Sequence, residues 1–426
     1  MKRLFVLALA VFMVAAFALP ASALENKFGG YMENNFNTYK SLNYRDTGSS
    51  DYSTARSRTR LYYTAIIHEN LSFINQFEMD TEWGQQDSYG DLGADGINVE
   101  VKRSYIDFTA FNTRWEVGTQ NFNILRGLLV NDDASGIKVS YRGADNFIPA
   151  VWWFRLNNGD KGAKDNGQDV DHYTALVNIK MNNMQIVPSV GYLTSNNVAY
   201  YSPADATHSA KVYILGVDFN MKMDMVDIVA AAGYEGGQLT DDVDISAYMF
   251  NLKGKFKLGK FAIRGEFLYT TGDEVDSNGN PTNADYKGWY YPEQNSTGAN
   301  YSTSEFVRKG IDWTQVPRAA GANAVAGNGV ENRMEAGLGV DFALTKAWDL
   351  SFDWWWLNLA ENNETGNSDI GNEFDLVATW KIMKNLKLDL IGAYLLTGDA
   401  VKKLSSVGTD ATDKAYELSA RLSISF

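Results

Sequence analysis

The 426 residues contain no cysteine, which excludes disulfide scaffolds, thiolate metal centres and cysteine nucleophiles. Histidine is scarce as well. His68, His172 and His208 fall in a turn, at the outer end of a strand and in an external loop, and no Ser/His/acid set is suggested. No enzyme, cofactor or metal is therefore expected. Asp276, Asn278, Gly279 and Asn280 resemble part of a calcium loop but lack its distal glutamate, and a plain Asn/Gly turn is the expectation. Beyond residue 19 no stretch approaches 18 consecutive apolar residues, so no membrane helix is expected. Basic residues are in deficit, 38 Lys+Arg against 52 Asp+Glu, which argues against nucleic acid as a partner and for attraction of cations.

The amino terminus sets the compartment. Lys2 and Arg3 lead into an apolar run from Leu4 to Leu19, and Ala21-Ser22-Ala23 supplies a small-x-small pattern. This reads as a secretory signal spanning 1–23, with a membrane anchor as the alternative. Residues 24–426 then form a single domain with 36 basic and 52 acidic residues, a formal charge of −16.

From there polarity alternates with period two in runs of about ten residues, the length a tilted strand needs to cross a bilayer. Short turns and long loops alternate between the runs. The short ones include His68–Asn70, Asn182-Asn183 and Met383–Asn385. The long ones include Ser41–Asp51, Gly84–Gly96, Asn157–Gln168, Gly236–Asp242 and Gly272–Gly329. An all-β, transmembrane antiparallel β-barrel with short periplasmic turns and long extracellular loops accounts for this layout. The count is about 18 strands, with Phe28–Thr38 the weakest run and 16 the alternative. Aromatic residues make up 13% of the chain, suited to interfacial girdles. The last run alternates through Tyr416, Leu418, Ala420, Leu422 and Ile424 to a terminal Phe426, an end that resembles the signal by which barrels are handed to their assembly machinery. Pro188 falls inside a run, where a bulge or a strand end is expected.

The densest pattern spans Ser53–Glu82. Arg56, Arg58 and Arg60 share one strand face. A three-residue turn at His68–Asn70 would set positions summing to 138 opposite one another. Arg60 then faces Glu78, Arg58 faces Asp80, and Arg56 faces Glu82. Across the chain the predicted inner face also carries Arg103, Asp107, Glu116, Lys138, Arg155, Asp218, Arg264, Glu266, Arg333, Glu335, Asp375 and Arg421. A wall with both signs of charge must hold water, so the barrel reads as a channel. A soluble sandwich, with these charges on a solvated outer face, is the competing explanation. Asn121–Ser135 is apolar for an external loop, with Ile124, Leu125, Leu128 and Leu129 beside Arg126, Asp132 and Asp133. Folded inward it would narrow the pore and bring Asp132 and Asp133 near the arginines. Packing on a neighbouring subunit is the alternative.

The strings RSRTRLYYTAIIHENLS (Arg56–Ser72), TEWGQ (Thr81–Gln85), GDLGADG (Gly90–Gly96), VKRSYIDF (Val101–Phe108) and DDASGIKVSY (Asp132–Tyr141) resemble the homotrimeric outer-membrane porin family of sulfate-reducing bacteria. More distantly the barrel is similar to alginate-export-type proteins. The resemblance covers roughly the first third of the chain. It implies a trimer in the bacterial cell outer membrane, one aqueous pore per subunit, contact with outer-membrane lipid, and passive diffusion of small hydrophilic solutes. It supplies no substrate site. Competing readings are a substrate-specific channel for organic acids or saccharides, and a structural or adhesive barrel with a plugged lumen. Net acidity outside the strands predicts a modest cation preference.

Overall fold

The computed structural model describes residues 25–41, 44, 51–84, 99–157, 169–195, 209–240, 243–277, 282–283, 285–289, 304–309, 331–403 and 411–426. The expected signal segment and His208 lie outside the described residues. The strands are β1 (Glu25–Lys40), β2 (Tyr52–His68), β3 (Leu71–Glu82), β4 (Glu100–Ala110), β5 (Thr113–Ile124), β6 (Val130–Tyr141), β7 (Phe147–Asn157), β8 (Val170–Met181), β9 (Met184–Ser195), β10 (Ala210–Lys222), β11 (Val226–Thr240), β12 (Val243–Leu258), β13 (Phe261–Thr270), β14 (Arg333–Ala343), β15 (Trp348–Asn358), β16 (Asp369–Met383), β17 (Leu386–Thr397) and β18 (Lys414–Ser425).

Each strand pairs antiparallel with its neighbours in sequence, and β18 returns to β1 from Tyr31↔Ser425 to Lys40↔Tyr416. The result is a closed 18-stranded barrel with no free edge, so no strand is left with an open ladder facing lipid. Sixteen strands is thereby excluded. The weakest run in sequence, β1, pairs with β2 over its length from Glu25↔Ile66 to Tyr39↔Tyr52.

Alternation sends apolar side chains outward. Leu61, Ile106, Val151, Val190, Leu215, Leu252, Leu338, Leu376 and Leu418 are all exposed on the outer wall. Aromatic pairs border this belt at both rims. Phe28 with Tyr63, Phe108 with Trp115, Phe261 with Phe342 and Trp348 with Trp380 lie toward the short-turn rim. Phe36 with Trp83, Tyr192 with Tyr213 and Tyr234 with Tyr248 lie toward the long-loop rim. The amphipathic Tyr and Trp rings among them suit the two membrane interfaces.

Three local expectations are corrected. The β2–β3 turn is Glu69-Asn70 alone, and His68, not Ile67, meets Leu71; a bulge at Ile67 absorbs the difference, and the register summing to 138 holds from Ile66↔Ser72 to Arg56↔Glu82. Gly236–Asp242 is not a long loop, because β11 runs to Thr240 through a register shift after Gln238. Gly237 adopts φ +126°, which makes that shift accessible. Pro188 neither ends β9 nor bulges it. It stays paired with Val217 of β10, while the β8 side skips from Leu176↔Ser189 to Ile179↔Ile186, so the missing N–H is accommodated as a gap in one ladder.

The seam depends on close backbone approach. Gly30 and the terminal Phe426 exchange both backbone hydrogen bonds, at 3.0 and 3.1 Å. A Cβ on Gly30 would stand 2.3 Å from the Arg60 carbonyl oxygen. Gly30→Val is therefore expected to destabilise the barrel by about 1–3 kcal/mol, the usual cost of overpacking. A lower urea midpoint for unfolding in lipid vesicles checks this.

Candidate functional site, the narrowed lumen

The arginine hairpin is a ladder of pairs. Arg56 Nη2 donates to Glu82 Oε2 at 2.6 Å, Arg58 binds both Asp80 oxygens at 2.8 and 2.6 Å, and Arg60 donates to Glu78. Next to it, Arg103 donates to Asp133 at 2.7 Å, and Arg114 binds both oxygens of Asp107 and lies 3.2 Å from Glu116. Across the lumen Lys253 pairs with Glu266, and Arg264 with both Asp341 and Asp353. Arg333 and Glu335 are buried on the inner face of β14, and Arg421 lies 3.8 Å from Glu33. Lys138 sits over the rings of Phe122 and Trp152, at 4.5 and 5.0 Å from their centroids. Pairs of this kind beside water contribute only about 0–1 kcal/mol each. Their main effect is to cancel the field that an arginine row would otherwise project.

Arg155 belongs on the other face. It binds Asp171 at 2.9–3.0 Å, beside Trp153 and Tyr173, while Val151 on the same parity is exposed on the outer wall. Both faces of β7 are apolar, so the charge was no guide to the lumen there. Lys102, by contrast, points inward unannounced. The β3–β4 register shifts between Gln76↔Arg103 and Phe77↔Val101, and the extra residue reaches Glu78 at 3.6 Å and Asp133 at 3.4 Å.

The apolar segment after β5 does fold inward. A 3₁₀ turn, Leu125–Gly127, joins the extended ends of β5 and β6. Phe122, Ile124, Leu125, Leu128, Leu129 and Val130 are buried in a cluster with Phe154, Val212, Ile214, Ala231, Met249 and Trp289. Burying each large side chain is worth about 1.5–3 kcal/mol, enough to hold the turn against the opposite wall. Gly216 and Gly233, paired across β10 and β11, form the notch that receives it. A Cβ on Gly216 would lie 2.5 Å from Leu125 Cδ2, and one on Gly233 2.6 Å from Trp289. His172, expected on the surface, is buried beside this cluster, stacked on Phe154 and hydrogen-bonded to Thr174 at 2.6 Å.

A clamp from the long-loop rim closes over the turn. Trp289 Nε1 donates to the Leu128 carbonyl at 2.7 Å, Lys287 N to Asp273 Oδ1 at 2.7 Å, and Tyr286 Oη to Glu331 Oε1 at 2.7 Å. A second mass, the π-helical turn Glu305–Lys309, packs on β16, β17 and β18. Phe306 N and Val307 N donate to Glu373 at 2.7 and 3.0 Å, and Glu305 N donates to Asp375 at 3.1 Å. Beneath the 3₁₀ turn lies a polar pocket of ≈ 290 Å³ lined by Asn123, Arg126, Gln185, Val187, Asp218, Phe219 and Asn220. Among the described residues, no group of three or more His, Asp or Glu side chains is placed to hold a metal.

A closed barrel with a lipid-facing belt, two aromatic girdles and a charged, partly filled interior is the architecture of an outer-membrane channel. No family model matches the chain, and no curated protein matches it in sequence. Among solved structures it is similar to the outer membrane protein OpdK of Pseudomonas aeruginosa, at 11% identity over 94% of this chain and 98% of that one, with a TM-score of 0.57. It is similar as well to OpdK solved with vanillate, at 10% identity over 94% and 98% with a TM-score of 0.57, and to OccAB4 of Acinetobacter baumannii, at 9% identity over 96% and 99% with a TM-score of 0.56. At such identities the likeness establishes the fold.

Two predictions follow from these contacts. Arg58→Gln leaves Asp80 without its bidentate partner. An uncompensated unit charge 4 Å from an ion in water is worth about 1 kcal/mol, roughly fivefold in local ion ratio. The K⁺/Cl⁻ permeability ratio, read from reversal potential, should rise. The clamp is expected to respond to pH. Burial lifts Glu331 to about 7, above its ordinary 4.5, with Asp273 adding to the rise. The clamped state thus binds the proton more tightly than the open one. Its stability is full below about 4.5, falls as pH rises toward 7, and changes no further above that. Amide protection factors at Lys287 and Trp289 should be larger at pH 5 than at pH 8, and Glu331→Gln should abolish the difference.

Proposed function

We propose that the chain forms a narrow, water-filled channel in the bacterial outer membrane for passive diffusion of small hydrophilic solutes and ions. The observation that carries this reading is the lumen itself, whose inner wall holds paired charges of both signs. Such a wall is stable only when hydrated, and the inward 3₁₀ turn occupies part of the cross-section. Arg126 lies in that turn, whereas Asp132 and Asp133, expected in the loop, lie on β6 opposite Phe122 and Asn121 of β5. The aqueous path passes between the ladder on β2–β4 and the turn. Assembly as a homotrimer, one pore per subunit, and recognition of terminal Phe426 by the assembly machinery complete the proposal. The Phe426 ring is 63% exposed on the outer wall, accessible to such a partner. A substrate-specific channel is the second reading, favoured by the pocket beneath the turn.

Planar-bilayer recording of the reconstituted chain in a KCl gradient tests the proposal. Discrete openings with a modest cation preference are expected. Deleting Leu125–Leu129 in a barrel that still assembles should raise the unitary conductance. Absence of openings, or unchanged conductance after the deletion, would overturn the reading.

A further inference from the structure

Many charges of this lumen pair across neighbouring strands, but among the described residues Arg126, at the tip of the inward turn, and Asp218, on the wall it faces, do not. Arg126 and Asp218 line the same ≈ 290 Å³ pocket, and the Arg126 charge acts on Asp218, yet the two form no ion pair. Arg126 Nε, Asp218 Oδ1 and Asn220 Oδ1 are shielded from solvent, and none has a hydrogen-bond partner. Leaving such atoms unsatisfied costs about 1–3 kcal/mol apiece, more for charged groups. Arg126 is moreover held at φ 58° and its neighbour Leu125 at φ 50°, left-handed conformations that non-glycine residues avoid. Such strain persists where surrounding structure over-determines it, and it clusters at functional sites. Here the Gly216–Gly233 notch fixes Leu125, and Leu125 in turn aims Arg126 into the pocket.

We propose that this pocket binds a small zwitterion, a molecule carrying one carboxylate and one ammonium group a few bonds apart. The carboxylate takes hydrogen bonds from Arg126. The ammonium donates to Asp218 and to the Asn220 carbonyl oxygen, both on the inner face of β10. Asn123 and Gln185 complete the rim; each already donates once, to Asn131 and Asn178 at 3.0 Å, which fixes its orientation. A simple anion would gain Arg126 but face Asp218, and a simple cation the reverse. An uncharged solute could hydrogen-bond to Arg126 and Asp218 but would bring neither a counter-charge. The volume lies at the lower end for ligand pockets, which excludes peptides and oligosaccharides. The inference rests on the channel reading above and names its favoured solute.

The test is single-channel recording of the full-length chain with glycine, β-alanine and γ-aminobutyrate added in turn, beside acetate and ethylammonium at equal concentration. Saturable interruption of KCl current by one or more of the zwitterions, with little effect of the two single-charge probes, is the expected result. Arg126→Gln and Asp218→Asn should each weaken half-block by about tenfold or more, the loss of a charge-assisted bond, while discrete KCl openings persist as evidence of an assembled barrel. Arg126→Lys should restore part of the block. An open channel indifferent to all three zwitterions overturns the inference and leaves the channel reading standing. Equal block by acetate makes the pocket an anion site and overturns it too. A chain that assembles but shows no openings removes the channel reading itself.

Discussion

Closure of the backbone ladder is the constraint on which the rest of the molecule depends. In lipid an unpaired N–H or carbonyl costs several kcal/mol, so the wall has no freedom to open, indent or present an edge. β1 pairing with β18 removes the last edge, and from then on the side of every residue is set by parity. The wall alone gives a wide tube. Anything that narrows or tunes it must come from side chains on the inner parity, from bulges that alter parity locally, or from segments that enter through the mouth.

All three routes are used, and they differ in medium. The wall of β2 to β4 is wet and charged, each guanidinium matched to a carboxylate on the adjoining strand or on the inward segment. The part of β7 to β12 on which Leu125, Leu128 and Trp289 lie is dry. Mixing these would be costly, since an arginine beneath the apolar turn would lose water without gaining a partner. The inner residues opposite the turn are accordingly small or apolar: Ile214, Gly216, Ala231, Gly233, Ala247 and Met249. The alanine and glycine run at 230–233 is two interleaved surfaces. Ala231 and Gly233 face the turn, and Ala230 and Ala232 face outward.

What was legible in sequence follows the same division. Where one face meets water and the other lipid, alternation is strict, and the hairpin register from Arg56↔Glu82 to Arg60↔Glu78 is the one the expected three-residue turn sets, because the bulge at Ile67 offsets the shorter turn. Where the inner face meets the plug, both parities are apolar and the signal vanishes. Arg155 reads as inward in sequence, and His172, close by on β8, as a surface residue, and the structure reverses both. The inward course of Lys102 is not legible in sequence, because a bulge places two consecutive residues on one side, something period two does not encode. The inward course of Ile124–Val130 was legible as a conflict, an apolar loop with nowhere outside to be buried. Its landing site was not, since the Gly216–Gly233 notch arises only once β10 and β11 are in register.

The unpaired tip is then a consequence of geometry as much as of composition. Arg126 follows Leu125 directly, and in a 3₁₀ turn two successive side chains diverge by about a third of a turn. Seating Leu125 in the notch therefore obliges Arg126 to leave the apolar cluster for the nearest polar space, the inner face of β9 and β10. Asp218 waits there, two residues from Gly216 on the same inner parity, so the residue that opens the notch and the residue that faces the guanidinium are fixed by one strand. Had the turn been flexible, Arg126 could swing onto Asp218 and close the pair. The left-handed backbone at Leu125 and Arg126, locked by the buried leucine, keeps the two charges facing each other across a space. The wall thus holds these two opposite charges apart, on the rigid element at its narrowing.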